Sequence, residues 1–152
     1  MTQSRILFLN GPNAHLYGLD TKGAYGTTES YPQIEARCRA HAESLGAALD
    51  VRQSNHEGEL IDWIQAARHT TDGLLINGAG LTDTSIAILD ALLAYDKPII
   101  EVHMSNIYKR EPFRHHSVIS KAATGIVAGL GPLGYEMAIT ALVRLLEKAR
   151  AK

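Results

Sequence analysis

Three pieces of this 152-residue chain carry residue types suited to proton transfer: Tyr25 on a glycine-bounded loop, the turn Asn10-Gly11-Pro12-Asn13, and the tripeptide Glu101-Val102-His103. A phenol acts as a base only where its surroundings favour the tyrosinate, and a histidine acts as an acid only where its ring is held. Side chains alternate along a strand, so Ile99, Glu101 and His103 share one side and Glu101 is placed to hold the ring from behind. A carboxylate that accepts one ring N–H fixes the tautomer and leaves the other nitrogen for a reacting group. Glu-x-His is also the pattern of a core histidine tied to a structural glutamate; its place at a strand's carboxyl end favours chemistry.

Downstream, Lys109, Arg110, Arg114, His115 and His116 follow a turn at Ser105-Asn106, and Pro112 precludes one regular helix through them. The segment reads either as a solvated charged loop or as a carboxylate site, for which the planar arginine fork is the better partner. Between strand and helix, Asn77 to Ser85 offers backbone N–H groups to an anion or a polar oxygen. Thr82 and Asp83 are expected to cap the helix that follows. Asp90, seven residues beyond Asp83, is expected near the same helical face, as a core-edge polar residue, a subunit contact or a catalytic group.

The elements that must position these residues are legible as βα alternation. Short apolar runs at 6–9, 49–51, 74–76, 99–102 and 126–128 are interleaved with helical patterns at about 31–45, 57–70, 84–95 and 132–150. Ser30 to Gln33 and Ser54 to Glu57 have capping-box spacing, Gly46 suits a helix stop, and Pro132 suits a first turn. Right-handed crossovers then require a five-stranded parallel sheet covered by helices on both faces, an α/β flavodoxin-like three-layer sandwich in a single domain spanning 1–152. Ligands of such sheets gather beyond the carboxyl ends of the strands, where Asn10, Gln53, Asn77 and His103 fall. The stretch from about 16 to 30, rich in Gly and polar residues, is too weakly apolar for a core element and reads as a lid or as a surface excursion.

Net charge is −1 and the pI about 6.6, with 45% apolar residues, which favours neither nucleic acid nor an anionic membrane as partner. The single cysteine, Cys38, lies in a helical pattern and reads as a structural thiol. No segment has the composition of a signal peptide or a membrane span, so a cytoplasmic protein is expected. Gly129-Leu130-Gly131-Pro132-Leu133-Gly134 matches G-x-G-x-x-G, yet no further βαβ unit follows to complete a dinucleotide site. The first turn lacks the hydroxyl-rich cradle of a flavin phosphate, and the seven histidines show no metal-ligand spacing.

Taken in order, Asn10-Gly11-Pro12-Asn13, Tyr25-Gly26, Arg52-Gln53-Ser54-Asn55, Asn77, Thr84-Ser85, Ile100 to Asn106, Arg110-Glu111, Phe113-Arg114, His116-Ser117, Ala123 to Ile126 and Gly129-Leu130-Gly131 resemble the type II 3-dehydroquinate dehydratases over nearly the whole chain. The resemblance implies trans dehydration of 3-dehydroquinate to 3-dehydroshikimate, a reaction of the shikimate pathway and of quinate catabolism, without metal or cofactor. It implies a flavodoxin-like fold assembled as a homododecamer, a tetramer of trimers, whose partner is a small cyclic carboxylate. On it Tyr25 is the base that forms an enolate, Asn13 holds the water that stabilises the enolate, and His103, oriented by Glu101, protonates the departing hydroxyl. Asn77, Met104 and Ser105 bind the carboxylate and nearby hydroxyls, Arg114 a ring hydroxyl, and Asp83 and Asp90 fall among the substrate-binding positions.

Two positions depart from the family pattern. Asp20 stands where the family carries a lid arginine five residues before the base, an acid that opposes tyrosinate formation, with Lys22 as the nearby replacement cation. Asp83 stands where the family has a histidine. An ionised Asp accepts hydrogen bonds from hydroxyls but donates none, and it adds negative charge beside an anionic substrate. Three readings follow: a 3-dehydroquinate dehydratase, a relative acting on another cyclic hydroxy-carbonyl acid, and a catalytically silent binding or assembly protein.

Overall fold

The computed structural model describes residues 2–19 and 27–152. Asp20, Lys22 and Tyr25, and with them the centre of the expected lid, lie outside the described residues. Five strands, β1 (Ser4–Asn10), β2 (Ala47–Gln53), β3 (Gly73–Asn77), β4 (Ile99–His103) and β5 (Gly125–Ala128), form an all-parallel sheet in the order β2-β1-β3-β4-β5. This is the flavodoxin-like order, with its topological switch between β1 and β3.

Alternation along β1 divides the core. Ile6 and Phe8 face α1 (Tyr31–Ser44) and α4 (Pro132–Arg150), packing with Ile34, Cys38, Tyr135 and Ile139. Leu7 and Leu9 face α2 (Glu57–Ala67) and α3 (Ile86–Tyr95), packing with Leu60, Ile64, Ile88 and Leu92. Both faces of the central strands are covered, which is why their sequences are nearly continuous apolar runs. Phe8 and Tyr135 meet edge to face, with centroids 4.8 Å apart. Burial pushes the Cys38 thiol up to about 12, as suits a structural thiol.

The helix ends mostly follow the sequence expectations. Ser30 and Gln33 form a reciprocal capping box, Gly46 (φ +75°) follows the C-cap of α1, and Pro132 occupies the first turn of α4. Two caps differ. Ser54 does not cap α2: its hydroxyl accepts the His56 N–H at 2.9 Å and closes the turn after β2, leaving His56 at the N-cap. Thr82 and Asp83 do not cap α3 either. They belong to a 3-10 turn, Ala79–Asp83, and the cap is Ser85, whose Oγ accepts the Ile88 N–H at 2.9 Å while donating to Glu57 at 2.6 Å. The 3-10 turn displaces the start of the helix beyond the Thr-Asp pair.

The loops at the carboxyl ends fit only glycine at certain points. A Cβ on Gly11 would lie 2.5 Å from the Gly78 carbonyl oxygen, so the loops after β1 and β3 touch backbone to backbone. A Cβ on Gly18 (φ +77°) would lie 2.7 Å from the Glu29 carbonyl oxygen and 2.9 Å from that of Thr28, so Gly18 packs against the 28–29 backbone. The glycine-rich turn before α4 straps the end of β4: Gly129 N–H donates to the His103 carbonyl at 3.2 Å and Gly131 N–H to that of Met104 at 3.0 Å. Among the described residues no helix is long and apolar enough to cross a membrane.

Candidate active site

A pocket opens at the carboxyl ends of the strands, between the turns after β3 and β4. Of the expected site residues, Asn77, Asp83, His103, Met104, Ser105 and Arg114 line it together. Glu101 stands behind His103, as strand alternation requires. It is fully buried, and its Oε2 lies 2.5 Å from His103 Nε2. With that ring nitrogen engaged, Nδ1 is the one available to a ligand.

The Glu101 carboxylate has two further donors. Ser117 Oγ donates to Oε1 at 3.1 Å and Ser120 Oγ to the same oxygen at 2.6 Å, both from the segment before β5. Burial alone would raise the Glu101 pKa, but the hydrogen bonds from His103, Ser120 and Ser117 together with the charge on His103 outweigh it and hold the carboxyl below its usual range. The acid behind the histidine is therefore ionised.

Two cations share the pocket with His103. Pro112 breaks the basic segment into two short 3-10 turns, Ile107–Lys109 and Pro112–Arg114, which bring Arg110 and Arg114 to the pocket. Arg110 donates to Ser105 Oγ at 3.4 Å, and Arg114 Nε is held by Glu111 at 2.8 Å with its guanidinium over the Phe113 ring. Lys109, His115 and His116 point to solvent. Asp83 shares the pocket with these cations. Burial pushes its carboxyl up, against the lowering by Arg114, His103 and Arg110, and its Oδ1 is buried without a hydrogen-bond partner, as is the neighbouring Thr82 Oγ1.

The first turn contributes differently. Asn13 is exposed in the left-handed region (φ 70°), its backbone N–H donating to Asn55 Oδ1 at 3.0 Å, and Gln53 fastens the same turn through the Gly11 carbonyl. Asn10 is buried within the sheet. Asp90 does not share a helical face with Asp83, because Asp83 precedes α3 in the 3-10 turn; it is exposed in a separate hollow between α2 and α3. Tyr17, a lining residue that sequence reasoning passed over, is buried against Asn77. Its place in a short apolar stretch reads as core, and only the contact with β3 marks it. Among the described residues no group of three or more His, Cys, Asp or Glu could hold a metal ion.

A parallel sheet of this order, with a carboxylate-held histidine and two guanidinium groups lining one pocket beyond its carboxyl ends, defines a flavodoxin-like protein with a candidate acid/base site. Residues 4–143 match the family profile described as Dehydroquinase class II, and the chain belongs to that family. It is accordingly an enzyme of the hydro-lyase class. Among similar proteins, catabolic 3-dehydroquinase 1 of Neosartorya fischeri is 54% identical over 134 residues, covering 88% of this chain and 89% of the relative. The 3-dehydroquinate dehydratase 2 of Agrobacterium fabrum is 50% identical over 146 residues, covering 96% and 99%. The crystal structure of a type II dehydroquinase from Butyrivibrio crossotus superposes with a TM-score of 0.89 at 40% identity, covering 92% of this chain and 97% of that one.

Proposed function

We propose that this protein converts 3-dehydroquinate to 3-dehydroshikimate by trans elimination of water through an enolate. Tyr25 takes the proton beside the ketone, and the water held by Asn13 stabilises the enolate charge. His103 donates the Nδ1 proton to the departing hydroxyl, which leaves as water. Arg114 and the Met104-Ser105 segment bind the substrate's hydroxyls and carboxylate, with Asn77 beside them. The observation that carries this reading is the ionised Glu101 at 2.5 Å from His103 Nε2, which orients a proton donor toward a pocket containing two arginines. Dehydration is followed by the rise in ultraviolet absorbance of the conjugated enone. Turnover in the parent, lost in Tyr25→Phe and His103→Ala, is the expected result; a parent without turnover rejects the reading.

A second reading, the same elimination on a related cyclic hydroxy-carbonyl acid, is favoured by the carboxylate that Asp83 brings to the pocket lining, an oxygen acceptor where the family pattern has a histidine. That oxygen suits a substrate with an additional hydroxyl donor. Turnover compared across cyclic hydroxy-keto acids separates the two, and under the second reading Asp83→His moves the preference toward 3-dehydroquinate.

The assembly belongs to the same proposal: a cytoplasmic homododecamer, supported by large apolar side chains that stand exposed on α3 (Ile86, Leu93) and around the β5 edge (Ile126, Leu130, Met137). Asp90 then contributes only to the site of a neighbouring copy. Light scattering gives the mass directly, and a monomer in dilute solution rejects the assembly. The names of the two relatives, one catabolic and one a dehydratase 2, support a place in either quinate catabolism or the shikimate pathway.

A further inference from the structure

The pocket floor conceals a polar cluster in which one amide is held by two phenols. Asn77, the last residue of β3, is almost fully buried. Its Nδ2 donates to Tyr17 Oη at 2.5 Å and to Tyr135 Oη at 2.7 Å. An amide nitrogen carries two protons, so both are engaged within the protein. Tyr135 in turn donates to Asn10 Oδ1 at 3.1 Å, so toward Asn77 it can only accept. The two phenol oxygens are 3.2 Å apart. Tyr17 is 1% and Tyr135 0% exposed; Tyr17 is the one that lines the pocket.

The arrangement fixes which end of the amide faces which way. With Nδ2 turned to the phenols, Asn77 Oδ1 accepts the Ala79 N–H at 3.1 Å. Were the amide reversed, its NH2 would confront that N–H, donor against donor, and its oxygen would confront the Tyr135 lone pairs. Ala79 is a non-glycine residue in the left-handed region (φ 50°), a conformation held by its surroundings. Ala79 and Gly80 line the pocket beside Asp83. A continuous set of hydrogen bonds thus runs from the Tyr17 hydroxyl through Asn77 to the backbone turn that shapes the binding wall.

We propose that Tyr17 is a positioning residue for substrate binding, acting through Asn77 on the 77–80 turn. The inference rests on the dehydratase reading given above, and it assigns Tyr17 no proton transfer. Removing its hydroxyl leaves one buried amide proton of Asn77 without an acceptor, which loosens the amide and, through its bond to the Ala79 N–H, the 77–80 turn. The effect falls on binding, because Glu101 and His103 are held independently by Ser117, Ser120 and the strap at Gly129.

The test is the steady-state kinetics of Tyr17→Phe with 3-dehydroquinate, with Tyr95→Phe as a control for the loss of a buried hydroxyl. Tyr95 lies in the opposite core, and its phenol pairs with Thr71 at 2.8 Å, away from the pocket. The expected result is a rise in KM of about tenfold for Tyr17→Phe with kcat within roughly twofold of the parent, as for the loss of an interaction common to ground and transition states. Tyr95→Phe is expected to lower Tm without moving KM. A Tyr17→Phe protein that loses Tm but keeps the parent KM, like the control, overturns the inference while leaving the dehydratase reading intact. A parent without turnover defeats that reading, and the amide measurement then tests the clamp by itself. In the parent the Asn77 side-chain amide protons, followed by NMR, are expected to exchange with solvent far more slowly than those of exposed Asn13; equal rates overturn it. This measurement does not require Tyr17→Phe to fold.

Discussion

Ser120 Oγ lies 2.6 Å from Glu101 Oε1, a hydrogen bond from a short 3-10 turn to the carboxylate that holds His103. With Ser117 on the same oxygen and His103 on the other, Glu101 is depressed below the usual carboxyl range in the folded protein. A depressed acid binds its proton less readily folded than unfolded. Its contribution to stability is therefore complete above the unfolded value, about 4.3 for Glu, and is lost as the pH falls through the lower folded value. Glu101→Gln is expected to lower Tm at neutral pH and to lessen the fall of Tm in acid. Thermal unfolding from pH 7 downward checks this; a constant Tm difference between parent and variant rejects it.

Asp83 has the opposite sign. Its folded carboxyl is raised, chiefly by burial, so the ionised form detracts from stability above the folded pKa, and the penalty disappears as the pH falls below the unfolded value, about 3.9 for Asp. Asp83→Asn is expected to melt above the parent at pH 7 and to converge with it in acid. Removing a negative charge from the pocket is also expected to lower KM for an anionic substrate several-fold. Equal Tm at pH 7 with an unchanged KM argues against both.

The contact between Gly11 and Gly78 has no room for a methyl group, since the clash would be with a carbonyl oxygen at 2.5 Å, an atom of the backbone that no side-chain rotation can move. Gly11→Ala is expected to cost about 1–3 kcal/mol, or roughly 2–12 °C in Tm. Differential scanning calorimetry reads it directly, and an unchanged Tm means that the two loops separate easily.

Arg114 offers a planar fork, which an ammonium does not reproduce. Arg114→Lys keeps the charge, yet KM is expected to rise about tenfold with a smaller change in kcat, because the loss is of binding geometry rather than of proton transfer. Kinetics within twofold of the parent show that charge alone suffices there.

The sheet and the Glu101-His103 pair were legible because both depend on short-range periodicity: alternation of two places both residues on one side of β4, and apolar runs mark each strand. The pocket arginines were half legible. The basic run was evident, but only the two 3-10 turns separate Arg110 and Arg114 from Lys109, His115 and His116. The start of α3 is ambiguous in the sequence because Thr82, Asp83, Thr84 and Ser85 are all capping types, and the turn at Ala79–Asp83 decides among them. Tyr17 and Tyr135 had no local signal as polar partners. Each lies in an apolar stretch where an aromatic residue reads as core, and their hydroxyls meet Asn77 only because the turn after β1 and the first turns of α4 converge on the end of β3.

The saturation of Glu101 bears on how quickly charge can move at His103. A carboxylate in water must wait for solvent dipoles to turn whenever a neighbouring charge changes. Here two serine hydroxyls and a ring N–H already occupy it, anchored to β4 and to the turn before β5. Any change of charge on the ring therefore meets dipoles that are already in place, and the protein's own groups stand where a solvent would otherwise lag behind.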